Sequence, residues 1–436
     1  MGSITVNARE LRLSDMLVKN IAGKLMWVFI TILFIMFSVY SGRYDEIILS
    51  MLLILIIVTY SAQSRMKFRF KISYLHYYIV LFMIFEAISS LWAEVPEYST
   101  RGILPLMKTL MAMIVLFSCC GKEGSVDNML RALMWRGYIV LAYVLAKYGF
   151  NTLVFLINND MRIDNEVLNA NTIGLMASYS IIINCYYIQK NKKVRLLDLL
   201  VIPAFLFITV SGSRKGLLLV VGGVMGVQII RNWDNKRWLK SISKIVLGMV
   251  VFLIVAIFII QLPFMRGILG RMDDLFIVLK GEGRKGVSGY VRMEYLKLGI
   301  QIFMKHPLIG IGIDNSRLYT IKLFGLNHYL HNNYVELLAC GGIIGAAIYY
   351  WIYIYLLDRF RKYRRFRDAE YDICFILLIG ALVMEFGMVT YDSPETYYML
   401  LLFCLEADKL RNCAKNRQSL INIAKQSGEY YEVELS

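Results

Sequence analysis

The residues that could do chemistry in this chain are few and fall in short polar stretches. Arg214 lies in VSGSRKGLLLV, where Gly212 and Gly216 allow a close turn and Ser211 and Ser213 can cap the helix that follows. A guanidinium beside free helix N–H groups suits a phosphate or diphosphate. A snorkelling arginine at a membrane surface fits the same position. Arg292 falls early in the segment 290–305, where Val291, Tyr295, Leu298 and Ile302 recur at near-helical spacing. That pattern predicts a short amphipathic helix lying on a membrane, its charges facing either a ligand or water. In KHPLIGIGIDN, Pro307 ends the helix, because the residue before a proline avoids the α region, and Gly310 and Gly312 give a tight path. GIG here lacks the strand–helix context of a dinucleotide loop, and His306 reads as structural. In NHYLHNNYVELL, His328 and His331 are three apart, and Asn332 and Asn333 sit where a helix cap would fall. His331 then lies at the mouth of a helix, where an imidazole can act as general base on a hydroxyl near neutral pH. Two histidines with no cysteine and no His-Glu-x-x-His pattern give little support for a metal. No cofactor is expected.

The elements that must position these residues are apolar spans. The chain has 436 residues, 58% of them hydrophobic, and a mean hydropathy of +0.55; soluble domains are nearer 45–50% apolar. Runs near the ~20-residue spanning length recur along it, so an all-α polytopic membrane protein is expected. About twelve spans are read, near 25–40, 46–62, 72–92, 103–120, 130–149, 168–189, 197–212, 215–231, 242–263, 333–357, 373–390 and 396–410. Lysine and arginine alternate between connectors: Lys19/Lys24, Lys67/Arg69/Lys71, Lys192/Lys193, Lys236/Arg237 and Arg359–Arg367 mark one side as cytoplasmic. Both termini then lie inside, as a segment 1–24 and a tail 411–436. Spans one to nine occupy 25–263, a large outer loop with short helices 264–332, and spans ten to twelve 333–410. The net charge of +16 is absorbed by this sidedness and does not call for nucleic acid. The seven cysteines show no CxxC and read as small buried hydrophobes.

Outer arginines run against the charge bias, and they include Arg43, Arg101, Arg162 and Arg214. Carboxylates within or at the ends of spans (Glu86, Glu336, Glu385, Asp392) are costly at membrane depth. They suit either a site or ion pairs between spans, and Glu385 could pair with an arginine of the site. Tyrosines near span ends are expected to form an interfacial belt.

In combination, SGSR at 211–214, an arginine before a helix ending in HPLIGIG, and HNNYVELLACGGIIG at 331–345 resemble the O-antigen ligase and polymerase family. SSLWAEVPEYS at 89–99 and the stretch holding Arg162, Asn169, Asn171 and Gly174 are similar to that family's outer loops. The resemblance implies a metal-independent, inverting glycosyltransferase of the bacterial cytoplasmic membrane, its site facing the extracytoplasmic side. The implied donor is a glycan on undecaprenyl pyrophosphate. The implied acceptor is another lipid-linked repeat for a polymerase, or a lipid A core sugar for a ligase. A chain-length regulator is a candidate partner. Matched by motif, Arg214 and Arg292, with Arg162, fall on pyrophosphate-binding positions, and His331 on the base; His328, one helical turn earlier, leaves the base open between the two. A transporter or flippase is the rival, but it calls for paired halves and polar residues at mid-depth, and neither is seen.

Overall fold

The computed structural model describes residues 8–39, 45–64, 68–121, 124–159, 170–211, 213–232, 243, 246 and 288–427. Within them the regular elements are all helical. They are α1 (Ala8–Val39), α2 (Asp45–Ser64), α3 (Tyr74–Ser89), α4 (Pro96–Thr100), α5 (Ile103–Cys119), α6 (Ser125–Tyr148), α7 (Phe150–Asn158), α8 (Ala170–Asn191), α9 (Val201–Ser211), α10 (Arg214–Asn232), α11 (Ser288–Lys305), α12 (Ser316–Phe324), α13 (Asn333–Lys362), α14 (Ala369–Met384) and α15 (Pro394–Ser427). Short 3₁₀ turns precede α9 and follow α13.

Among the described residues, five helical stretches are long and apolar enough to cross a membrane: Met16–Ser38, Glu46–Ser64, Pro96–Cys119, Ser125–Tyr148 and Asn333–Lys362. Every other apolar stretch read from the sequence within the described residues overlaps a helix too, though a shorter or more polar one. Apart from Ser243 and Val246, the stretch 242–263 and the first part of the expected loop, through 287, lie outside the described residues.

The main apolar core runs from Ile30 and Phe34 of α1 through Tyr78 and Phe82 of α3 to Leu356 and Phe360 of α13 and Leu401 and Phe403 of α15, and a second one joins α6, α7, α8, α9 and α10 around Val144, Ile173 and Ile208. All seven cysteines are free, and five of them are buried. The expected interfacial belt is only part of the tyrosine story. Tyr349 and Tyr353 are 0% and 2% exposed and point their hydroxyls into the bundle.

The longest of these helices near the polar stretches is broken. Gly342 of α13 adopts φ 61°, ψ −165°, which interrupts the helical ladder. The segment after α11 supplies the missing partners. Ile311 N and Gly312 N donate to the Ala339 and Cys340 carbonyls at 3.1 and 2.9 Å, and Ile343 N and Ile344 N donate to the Pro307 and Leu308 carbonyls at 2.9 and 3.1 Å. In a bilayer such a break is tolerated only where neighbouring protein satisfies the freed backbone groups. The glycines make the approach possible. A Cβ on Gly310 would run into the Cys340 carbonyl, and one on Gly342 into that of Leu308.

Candidate functional site

The HPLIGIG segment, clasped to α13, delivers Asp314, Asn315 and Ser316 to one end of the bundle. Asn315 fixes the position: its Oδ1 accepts from Val95 N at 2.9 Å and its Nδ2 donates to Ser99 Oγ at 3.0 Å. The connector 90–101 and the segment 313–316 therefore lie on the same side. Asp314, with φ 61° and little exposure, pairs with Arg101 and accepts from Arg317 Nε at 2.7 Å. The Arg317 guanidinium lies 5.3 Å from the Tyr329 ring centroid, and Tyr329 meets the His331 ring edge-on at 4.6 Å.

His331 also stacks on Tyr295 of α11 at 6.0 Å and sits 5.9 Å from His328. Its backbone is left-handed, φ 58°, a region that non-glycine residues enter only when their surroundings impose it. Two hydrogen bonds impose it here. On one side Leu330 N donates to Glu336 Oε2 at 2.7 Å; on the other, Asn332 caps α13 by accepting from Val335 N at 3.1 Å. Glu336 is itself buried and accepts from Ser316 Oγ at 2.6 Å, so one carboxylate ties the start of α12 to the strained turn.

A second buried carboxylate holds the next residue. Glu385 accepts from the hydroxyls of Tyr350 (2.8 Å), Tyr353 (2.9 Å), Tyr349 (3.2 Å) and Thr390 (3.1 Å), and from Asn333 Nδ2 (3.2 Å). Its backbone oxygen accepts from Asn333 N at 2.9 Å, and Thr390 N donates to Asn333 Oδ1 at 3.0 Å. The expected pairing of Glu385 with a site arginine is thus corrected: among the described residues its donors are tyrosines, a threonine and an asparagine.

The charge around His331 is strongly positive. Partial burial, with Arg292, Lys215, His328 and Arg317 adding their charges, pushes the imidazole from its usual 6.5 down to about 3. It is therefore neutral over the whole physiological range. Lys215 comes from the first turn of α10, where Ser213 Oγ accepts from Gly216 N at 3.2 Å. It lies along Gly387, in the connector that follows Glu385. Asp392, in the same connector, keeps accessible surface and acts electrostatically on Tyr329.

Of the residues expected from sequence, His331, His328 and Arg292 come together here. Arg214 opens α10 next to Lys215; no contact between it and His331 is described. Arg162 lies outside the described residues. Lys215, Arg317 and Tyr329 belong to the cluster and were not read as site residues. Lys215 stood beside Arg214 in the same motif, which was the available signal; Arg317 and Tyr329 had none. Among the described residues, no group of three or more His, Cys, Asp or Glu side chains is placed to hold a metal.

Residues 199–350 match the family model described as O-antigen ligase. That region is therefore similar to the O-antigen ligase family, and together with the apolar helices the match supports a membrane protein of that kind. The matched region contains Lys215, Arg292, Asp314, Arg317 and His331, while Arg101 and Glu385 reach the site from outside it. No curated protein matches the chain.

Proposed function

We propose that this protein polymerises undecaprenyl-pyrophosphate-linked oligosaccharide repeats into a surface polysaccharide, as an inverting glycosyltransferase of the bacterial inner membrane with its site facing outward. The observation that carries the reading is a neutral imidazole ringed by cationic side chains. An acceptor hydroxyl gives its proton to His331 while its oxygen attacks the anomeric carbon. The bond from that carbon to the diphosphate oxygen breaks, and negative charge builds on the departing diphosphate. Arg292, Lys215 and Arg214 are set to meet that charge, and preorganised guanidinium and ammonium groups stabilise it without reorganising at the moment of reaction. His328 is the alternative base.

The cationic ring also couples donor to base. Before the diphosphate arrives, the positive charges hold His331 off its proton. Once the diphosphate offsets them, the imidazole regains proton affinity, so base strength rises when a donor is present.

The similarity of residues 199–350 to O-antigen ligases favours a second reading, in which the finished glycan passes to a lipid A core or another acceptor. The donor chemistry is the same. Both readings are tested by Arg292→Ala and His331→Ala, scored by glycan length and by carrier, with His328→Ala alongside. A polymerase stripped of its base leaves single repeats, and a ligase leaves long chains on the lipid carrier. Loss of the base costs roughly 10²–10⁴ in turnover. Full activity in both the Arg292 and His331 variants would sink the assignment of the site.

A further inference from the structure

The other end of the bundle carries a feature that this chemistry does not use. Residues 68–73 and 120–121 lie opposite the site, since α3 and α5 each reach the site with their other end. Here a groove of ≈ 580 Å³ opens between the first halves of α1 and α6, with Gln63 of α2 in its wall. Its head is basic, formed by Lys19, Lys24 and Arg131. Its walls below are apolar and aromatic, with Trp27, Trp135 and Ile139. From Lys24 to Ile32 and from Arg131 to Ile139 each helix descends about 12 Å at ~1.5 Å per residue. The groove therefore runs from headgroup level into the hydrocarbon.

We propose that this groove binds an acidic phospholipid of the cytoplasmic leaflet. The phosphate sits among Lys19, Lys24 and Arg131, and one acyl chain lies along the tryptophans. The charge balance favours an anion. Among the described side chains, Asp127 accepts from Arg131 Nε at 2.8 Å and from Lys190 Nζ at 2.9 Å, and Lys190 also meets Glu370 at 3.5 Å, so Lys19, Lys24, Arg131 and Lys190 outnumber these two carboxylates. Arg131 is further held against Tyr187, its guanidinium 4.6 Å from the ring centroid, which fixes its position at the groove mouth. The Gln63 amide oxygen is buried and lacks a donor among the described residues; a glycerol headgroup brings a hydroxyl that can donate to it. Basic pockets between spans on this side of a membrane suit anionic headgroups, and tryptophan favours the interfacial depth. The inference goes beyond the glycosyl-transfer reading and stands whatever the site transfers.

The full chain, purified and delipidated, is titrated with phosphatidylglycerol or phosphatidylcholine. Bound lipid is counted by native mass spectrometry and the melting temperature is followed in parallel. Phosphatidylglycerol is expected to be retained in preference and to raise the melting temperature more. Lys19→Gln with Lys24→Gln is expected to lower its affinity about 25-fold, fivefold or ~1 kcal/mol for each lysine. Lys192→Gln with Lys193→Gln, exposed on the same side but outside the groove, leaves it unchanged. Three results would each overturn the proposal: equal retention of the two lipids, an equal loss in the Lys192/Lys193 variant, or equal protection by sn-glycerol 3-phosphate alone.

Discussion

Two helices reach the candidate site with their first turns, and both carry closely spaced glycines. In α10 the glycines leave the helix regular and let neighbours come close. A Cβ on Gly216 would press on the Gly174 carbonyl, and one on Gly223 on Ile182, while Gly222 faces open space. In α13 the pair Gly341–Gly342 breaks the helix, and the break is filled by the backbone of residues 307–312. The difference lies in the partner. A neighbour that only packs against the helix asks for small size, whereas a backbone segment that must be hydrogen-bonded by the helix asks for groups that an intact helix cannot offer. The broken helix is the one that presents His331.

The sharpest way to break this contrast is one methyl group. Gly342→Ala must hold φ 61° with a Cβ and push against Leu308, so folded protein should fall below detection in membrane extracts. Gly222→Ala, by contrast, should melt at or slightly above the parent temperature, since alanine is favoured over glycine by ~1 kcal/mol in a helix interior. Equal behaviour of the two would mean that the break is not structural.

Glu385 offers the next largest effect. Glu385→Leu strands several buried donors at about 1–3 kcal/mol each, enough to lower the melting temperature by many degrees and to cost turnover by releasing Asn333. Glu385→Gln retains an acceptor oxygen and should recover part of both. If the leucine variant melts with the parent, the tyrosine frame does not position the site.

The smallest effect is in pH. His331 has a lower proton affinity in the folded chain, about 3, than its ordinary 6.5. As pH falls from 6.5 toward 3, the unfolded chain takes up a proton that the folded chain refuses, so stability is complete above 6.5 and is lost on the way down. The melting temperature of the parent should fall faster over that window than that of His331→Gln. Parallel curves would remove the cationic ring from the account.

The sequence made much of this legible for local reasons. Caps, a proline stop and lysine-rich connectors are written in neighbouring residues, and they marked Asn332, the end of α11 and one side of the bundle. The break at Gly342 was not legible, because CGGIIG inside an apolar run reads as continuous span. Only its meeting with Gly310 and Gly312, some thirty residues away, gives it meaning. Arg317 was missed for the same reason: its place at Tyr329 depends on how α12 docks. The buried role of the α13 tyrosines was not legible, because periodicity reports a face and not what that face meets. Their partner, Glu385, is the C-cap of α14.

The clasp between 307–312 and 339–344 also orders the assembly of the chain. Each segment carries peptide groups that the other satisfies, so neither reaches its final backbone shape before the two have met. The bent entry of α13 is thus completed only after the stretch that precedes it by some thirty residues has docked.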